Sequence, residues 1–74
     1  MSFSSKIKAI RQTCLLSQEA FAQELGVSFA TVNRWESGKT RPTYKTLQLI
    51  RTFCIAHNIV FNISTTDLED QSNA

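Results

Sequence analysis

Seventy-four residues, 42% of them hydrophobic and 19% charged, make one small globular domain. A chain this short hides only about 60% of the surface it exposes unfolded, so the core has to be tight. No apolar run approaches the ~18 residues of a membrane span, and the start Met1-Ser2-Phe3-Ser4-Ser5 has no secretory pattern, which sets the expectation of a cytoplasmic protein.

Four helices are expected in chain order. The first runs from about Ser5 to Thr13, with Ser4 or Ser5 as N-cap and Ile7 and Ile10 on one face. Cys14-Leu15-Leu16 forms a short apolar link. The second helix spans Gln18 to Leu25 behind a Ser17 cap, turns Phe21, Ala22 and Leu25 inward, and stops at Gly26. Ser28 caps a third helix to about Glu36, closed by Ser37-Gly38-Lys39. Thr43 caps a fourth through about His57, with Leu47, Ile50 and Cys54 at helical spacing and Asn58 suited to a left-handed stop.

Beyond it, Ile59-Val60-Phe61-Asn62-Ile63 is β-branched and aromatic, hence strand-like. A single strand has no mate in its own chain, so it is expected either to pair with a second copy or to pack as an extended cover. Residues 64–74 are polar and expected to be disordered. This divides the chain into a domain over residues 1–63 and a tail over 64–74. Leu49, Phe53 and Ile55 cannot all share the face of Leu47, Ile50 and Cys54. Some of them, with Val60 and Phe61, are candidates for a two-fold contact.

Charge is distributed unevenly. All eight bases lie between Lys6 and Arg51 and face three acids there, Glu19, Glu24 and Glu36, a balance of +5; the last segment holds Asp67, Glu69 and Asp70 and no base. Such a body suits a polyanionic partner, although many surfaces carry as much. Cys14 and Cys54, 40 positions apart, match no redox or zinc spacing and read as small core residues. There is one histidine, His57, and no Gly-rich phosphate loop. No metal, cofactor or catalytic residue is expected, and the chain does not read as an enzyme.

Gln18 to Ser37 carries the most information. Two helices joined by a tight turn need apolar facing sides, a small residue at closest approach and a turn residue without Cβ strain. Phe21, Leu25, Val27, Val32 and Trp35 meet the first need, Ala22 the second and Gly26 the third.

Leu16-Ser17-Gln18, Phe21-Ala22, Leu25-Gly26-Val27-Ser28, Thr31-Val32, Trp35-Glu36-Ser37-Gly38-Lys39 and Arg41-Pro42 together resemble the phage repressor and Cro family of helix-turn-helix proteins, also called xenobiotic-response-element-like. The likeness covers about Ile7 to Phe53. It implies an all-α, compact four-to-five-helix lambda-repressor-like DNA-binding domain, here with a short C-terminal extended segment where the family usually has a fifth helix. It implies sequence-specific binding to double-stranded DNA and transcriptional regulation, most naturally repression, by a homodimer with half-sites about 34 Å apart. The alternative is an antitoxin or interaction module whose C-terminal segment holds a partner protein.

With Val32 and Trp35 inward, Ser28, Phe29, Ala30, Asn33 and Arg34 are the candidate base contacts: Arg34 for guanine, Asn33 for adenine, Phe29 for a thymine methyl unless it follows Val32 into the core. Gln18 resembles the family's phosphate-clamping glutamine, and Ser37, Lys39, Thr40 and Arg41 are candidate phosphate contacts on the other side. Arg11 and Glu36 match the positions of a family salt bridge between the first helix and the end of the recognition helix.

Overall fold

The computed structural model describes residues 2–61 and contains four α-helices: α1 (Phe3–Thr13), α2 (Gln18–Leu25), α3 (Phe29–Ser37) and α4 (Tyr44–Ala56). Four hydroxyls start them. Ser2, Ser17, Ser28 and Thr43 each sit in extended backbone and accept from the N–H three residues on, which satisfies a donor that the first turn leaves without a partner.

The first helix begins two residues before the expected Ser5. Ser2 is its cap, and Phe3 in the first turn is completely buried. Capping at Ser2 brings Phe3 onto the face of Ile7 and Ile10, at spacings of four and seven. Ser4 or Ser5 would cap equally well locally, but would leave that ring outside the helix. Tertiary burial decides between them. The last helix ends one residue earlier than expected, at Ala56, with His57 as C-cap.

Three helices stop in the same way. After α1, α2 and α4 the chain turns left-handed at Leu15 (φ 58°), Gly26 (φ 73°) and Asn58 (φ 57°). In each case the next N–H reaches back five residues: Leu16 to the Arg11 carbonyl at 3.2 Å, Val27 to Ala22 at 3.0 Å, Ile59 to Cys54 at 2.8 Å. Each is a Schellman stop. Glycine and asparagine are at ease there; leucine is not, since a Cβ costs about 1–2 kcal/mol in this region. Leu15 is also 91% exposed, so its side chain contributes no packing in exchange. Leu15→Gly should therefore stabilise the domain by about 0.5–1 kcal/mol, a rise of a few degrees in Tm, after allowing for glycine's larger unfolded-state entropy. A lower Tm in thermal denaturation would show that Leu15 is not strained.

The helices pack as α1 on α3, α2 on α3 and α2 on α4. Phe3, Ile7 and Ile10, Phe21, Ala22 and Leu25, Val32 and Trp35, and Ile50, Phe53 and Cys54 form one core. Phe53 belongs to that core rather than to an outward contact; its ring meets Phe21 edge-on at 5.2 Å. Leu49, Ile55 and Val60 remain outside. Both cysteines are free, Cys54 buried and Cys14 packed against the core. Burial, with a smaller push from Cys14, raises the Cys54 thiol above its usual range and keeps it inert.

The strand-like reading of residues 59–63 is corrected over the part described. Ile59–Phe61 forms no strand; Ile59 and Phe61 pack against the core while Val60 points out, 81% exposed. The alternation is that of an extended cover, the other outcome the sequence allowed. Asn62, Ile63 and the tail lie outside the described residues. Among the described residues no helix is long and apolar enough to cross a membrane.

Candidate nucleic-acid interface

The site is built on α3. Val32 is completely buried and Trp35 is 5% exposed, and these two anchor the helix on α1 and α2. At ~100° per residue, the opposite arc holds Phe29, Ala30, Asn33, Arg34 and Ser37. All five are exposed. Phe29 resolves as a surface residue at 51% exposure, not as a follower of Val32. A half-exposed phenyl beside an alanine makes a local apolar spot that a thymine methyl would fit.

The helix termini fix where that arc begins and ends. Gly26 turns the chain after α2 with a backbone few other residues adopt, and Ser28 then caps α3. The Ser28 hydroxyl is engaged twice, accepting from the Thr31 N–H at 3.2 Å and sharing a hydrogen bond with the Thr31 hydroxyl at 2.9 Å. Ser37 donates to the Arg34 carbonyl at 2.9 Å. Both hydroxyls face outward but hold the helix ends. The guanidinium of Arg34, by contrast, has no partner among the described residues. Lys39 and Arg41 are exposed just past the helix, and Thr40 between them is half-buried.

Behind the surface lies a polar chain. Arg11 Nε and Nη2 donate to the two Glu36 carboxylate oxygens at 2.6 and 2.9 Å, and Nη1 donates to the Leu16 carbonyl at 2.9 Å. The side chains are 14% and 4% exposed. The hydrogen bond to Glu36 holds the Arg11 guanidinium even more firmly protonated than usual, against the pull of desolvation. Glu36 also accepts from Gln18 Nε2 at 3.1 Å, and Gln18 Oε1 in turn accepts from Asn33 Nδ2 at 3.2 Å. Arg11 and Glu36 thus meet in bidentate geometry and join α1 to the last turn of α3.

Two of the candidate residues, Gln18 and Asn33, are therefore bonded to each other, which no sequence pattern indicated. Phe3 is a core residue beyond those expected from the sequence. Its signal was present, because Phe3, Ile7 and Ile10 are one helical stripe.

A tight two-helix unit with an anchored second helix, one exposed arc and basic flanks is the architecture of a helix-turn-helix DNA-binding domain. The chain belongs to the Cro-like helix-turn-helix family, whose profile matches residues 7–54, about two thirds of its length. It is 38% identical over 53 residues to the HTH-type transcriptional activator BcrR of Enterococcus faecalis, an alignment that covers 72% of this chain and 26% of that protein. It is 44% identical over 50 residues to the plasmid copy control protein CopR of Streptococcus agalactiae, covering 68% of this chain and 52% of that one. The chain thus spans between a quarter and about half the length of these relatives. No solved structure matches it significantly.

Proposed function

We propose that this chain binds duplex DNA sequence-specifically and regulates transcription, with α3 lying in the major groove, and that it is not an enzyme. The observation that carries the reading is the arc of α3 opposite Val32 and Trp35, which offers an apolar spot, an amide and a guanidinium unpartnered among the described residues, side by side. Phe29 and Ala30 would meet a thymine methyl, Asn33 an adenine and Arg34 a guanine, with Ser28 at the near edge. Gln18, Ser37, Lys39, Thr40 and Arg41 would hold phosphates on either side and set the register.

Glu36 sits among these groups without opposing them. Its charge is matched by Arg11, so a phosphate approaching Gln18 meets a neutral pair rather than a bare carboxylate. The chain would act in the cytoplasm as a homodimer, since one α3 reads only a few base pairs. One relative is named an activator, so the family does not by itself imply repression; the sign follows from where the operator lies relative to the promoter.

Selection of bound sequences from random duplexes tests the reading. The expected result is a partly palindromic motif whose halves lie about one helical turn, ~34 Å, apart. Recovery of duplexes with no shared motif, bound only through a steep salt-dependent term, would overturn it.

A further inference from the structure

We propose that Glu36, acting through Gln18, makes Asn33 a reader of adenine that rejects guanine. The inference rests on the base-reading role proposed for Asn33 and adds the device that gives this residue its selectivity.

An ionised carboxylate can only accept hydrogen bonds. Glu36 is held by two Arg11 donors, and its third bond comes from Gln18. Gln18 must therefore turn its NH2 group inward, which leaves its Oε1 facing α3. An oxygen there requires a donor from Asn33, and Asn33 supplies Nδ2 at 3.2 Å. One buried carboxylate thus sets the polarity of two amides in succession. Reversing either amide would place NH2 against NH2 or oxygen against oxygen.

The consequence appears at the base edge. In the major groove adenine offers one acceptor, N7, and one donor group, N6–H2, whereas guanine offers two acceptors, N7 and O6. A free asparagine amide suits either purine: it can pair O and one N–H with adenine, or aim both N–H bonds at guanine. In this structure one of the two Asn33 N–H bonds is committed to Gln18. What remains is one donor and the Oδ1 acceptor, which has no partner among the described residues. That edge matches adenine and repels guanine O6. Asn33 is thus the base-reading group, and Gln18 and Glu36 are positioning residues for it.

The test uses the full chain and four duplexes of the selected motif that differ only at the base pair whose preference Asn33→Ala removes. Kd is measured for wild type, Asn33→Ala and Gln18→Met. Methionine matches glutamine in length and lacks both amide groups; Gln18 is half-exposed, so the fold is expected to survive, with circular dichroism as the check. Wild type should prefer adenine over guanine by about tenfold or more, as a bidentate match gives. In Gln18→Met that ratio should collapse to within about twofold. The preference at the base read by Arg34 should stay unchanged. The loss of a phosphate contact lowers all affinities together and does not move a ratio.

If Gln18→Met weakens binding to all four duplexes equally and keeps the ratio, the polarity relay is wrong while base reading by Asn33 stands. If Asn33→Ala removes no preference at any position, base reading by Asn33 falls and the relay falls with it.

Discussion

Arg11→Ala should lower the Tm of this domain by about 15 °C or more, against a few degrees at most for Lys8→Ala. The cause is the set of groups that the guanidinium satisfies. It contributes both bonds to Glu36 and one to the Leu16 carbonyl, at the point where α1 ends and the link to α2 begins. Its removal leaves a carboxylate that is 4% exposed with Gln18 as its one remaining side-chain donor among the described residues. Breaking a buried pair from one side typically costs about 3–5 kcal/mol. A domain of this size has roughly 4–11 kcal/mol in all, so a large share of its stability is at stake. Lys8 lies on the exposed side of the same helix and has no such partner set among the described residues.

The size of that effect should not be mistaken for the net value of the pair. Desolvating both ions offsets much of their attraction, so replacing both with apolar residues can be close to neutral. Arg11→Met combined with Glu36→Leu should thus recover a good part of the stability lost in either single variant, and a double-mutant cycle measures the difference. Arg11→Lys should fall between, because an ammonium cannot reproduce the fork that spans two oxygens and a carbonyl. Equal Tm values for Arg11→Ala and Lys8→Ala would refute the structural role.

Most of the architecture was legible because it is written in local chemistry. Ser17, Ser28 and Thr43 cap the helices they precede, and Gly26 and Asn58 stop them, each for a reason internal to a few residues. Val32 and Trp35 fix the inner side of α3, and the outward positions follow from helical geometry. The departures occur where local chemistry is neutral and burial decides. Serines at positions 2, 4 and 5 are equivalent as caps until Phe3 needs a place in the core. Leucine at position 15 resists the left-handed region, yet the chain must reverse there for Leu16 to close the end of α1. Residues 59–61 have the composition of a strand, but the face they need is supplied by the helices that Ile59 and Phe61 cover. The link from Glu36 through Gln18 to Asn33 joins positions 18 and 15 apart in sequence, and only tertiary placement creates it.

Arg34→Ala should cost about 1–3 kcal/mol at the best operator, which is roughly 5- to 150-fold in Kd, and should erase the preference at one base pair. Three features of the residue lead to that size. Arg34 lies near the middle of the exposed arc, its guanidinium is unpartnered among the described residues, and its position is held by a helix anchored one residue on by Trp35. The nearest acid in sequence, Glu36, is committed to Arg11 and Gln18 and does not draw Arg34 away from the groove. A planar fork of donors kept free in this way matches guanine O6 and N7. Lys39→Ala is the natural contrast. A lysine that touches only phosphate should weaken binding by a similar factor on every sequence and reduce the slope of log K against log salt by about one. Arg34→Ala should change the sequence dependence far more than that slope. Titration of both variants against matched and mismatched duplexes at several salt concentrations separates the two behaviours. If Arg34→Ala weakens all duplexes alike and reduces the salt slope as Lys39→Ala does, then Arg34 is a phosphate contact, and α3 does not present it to a base.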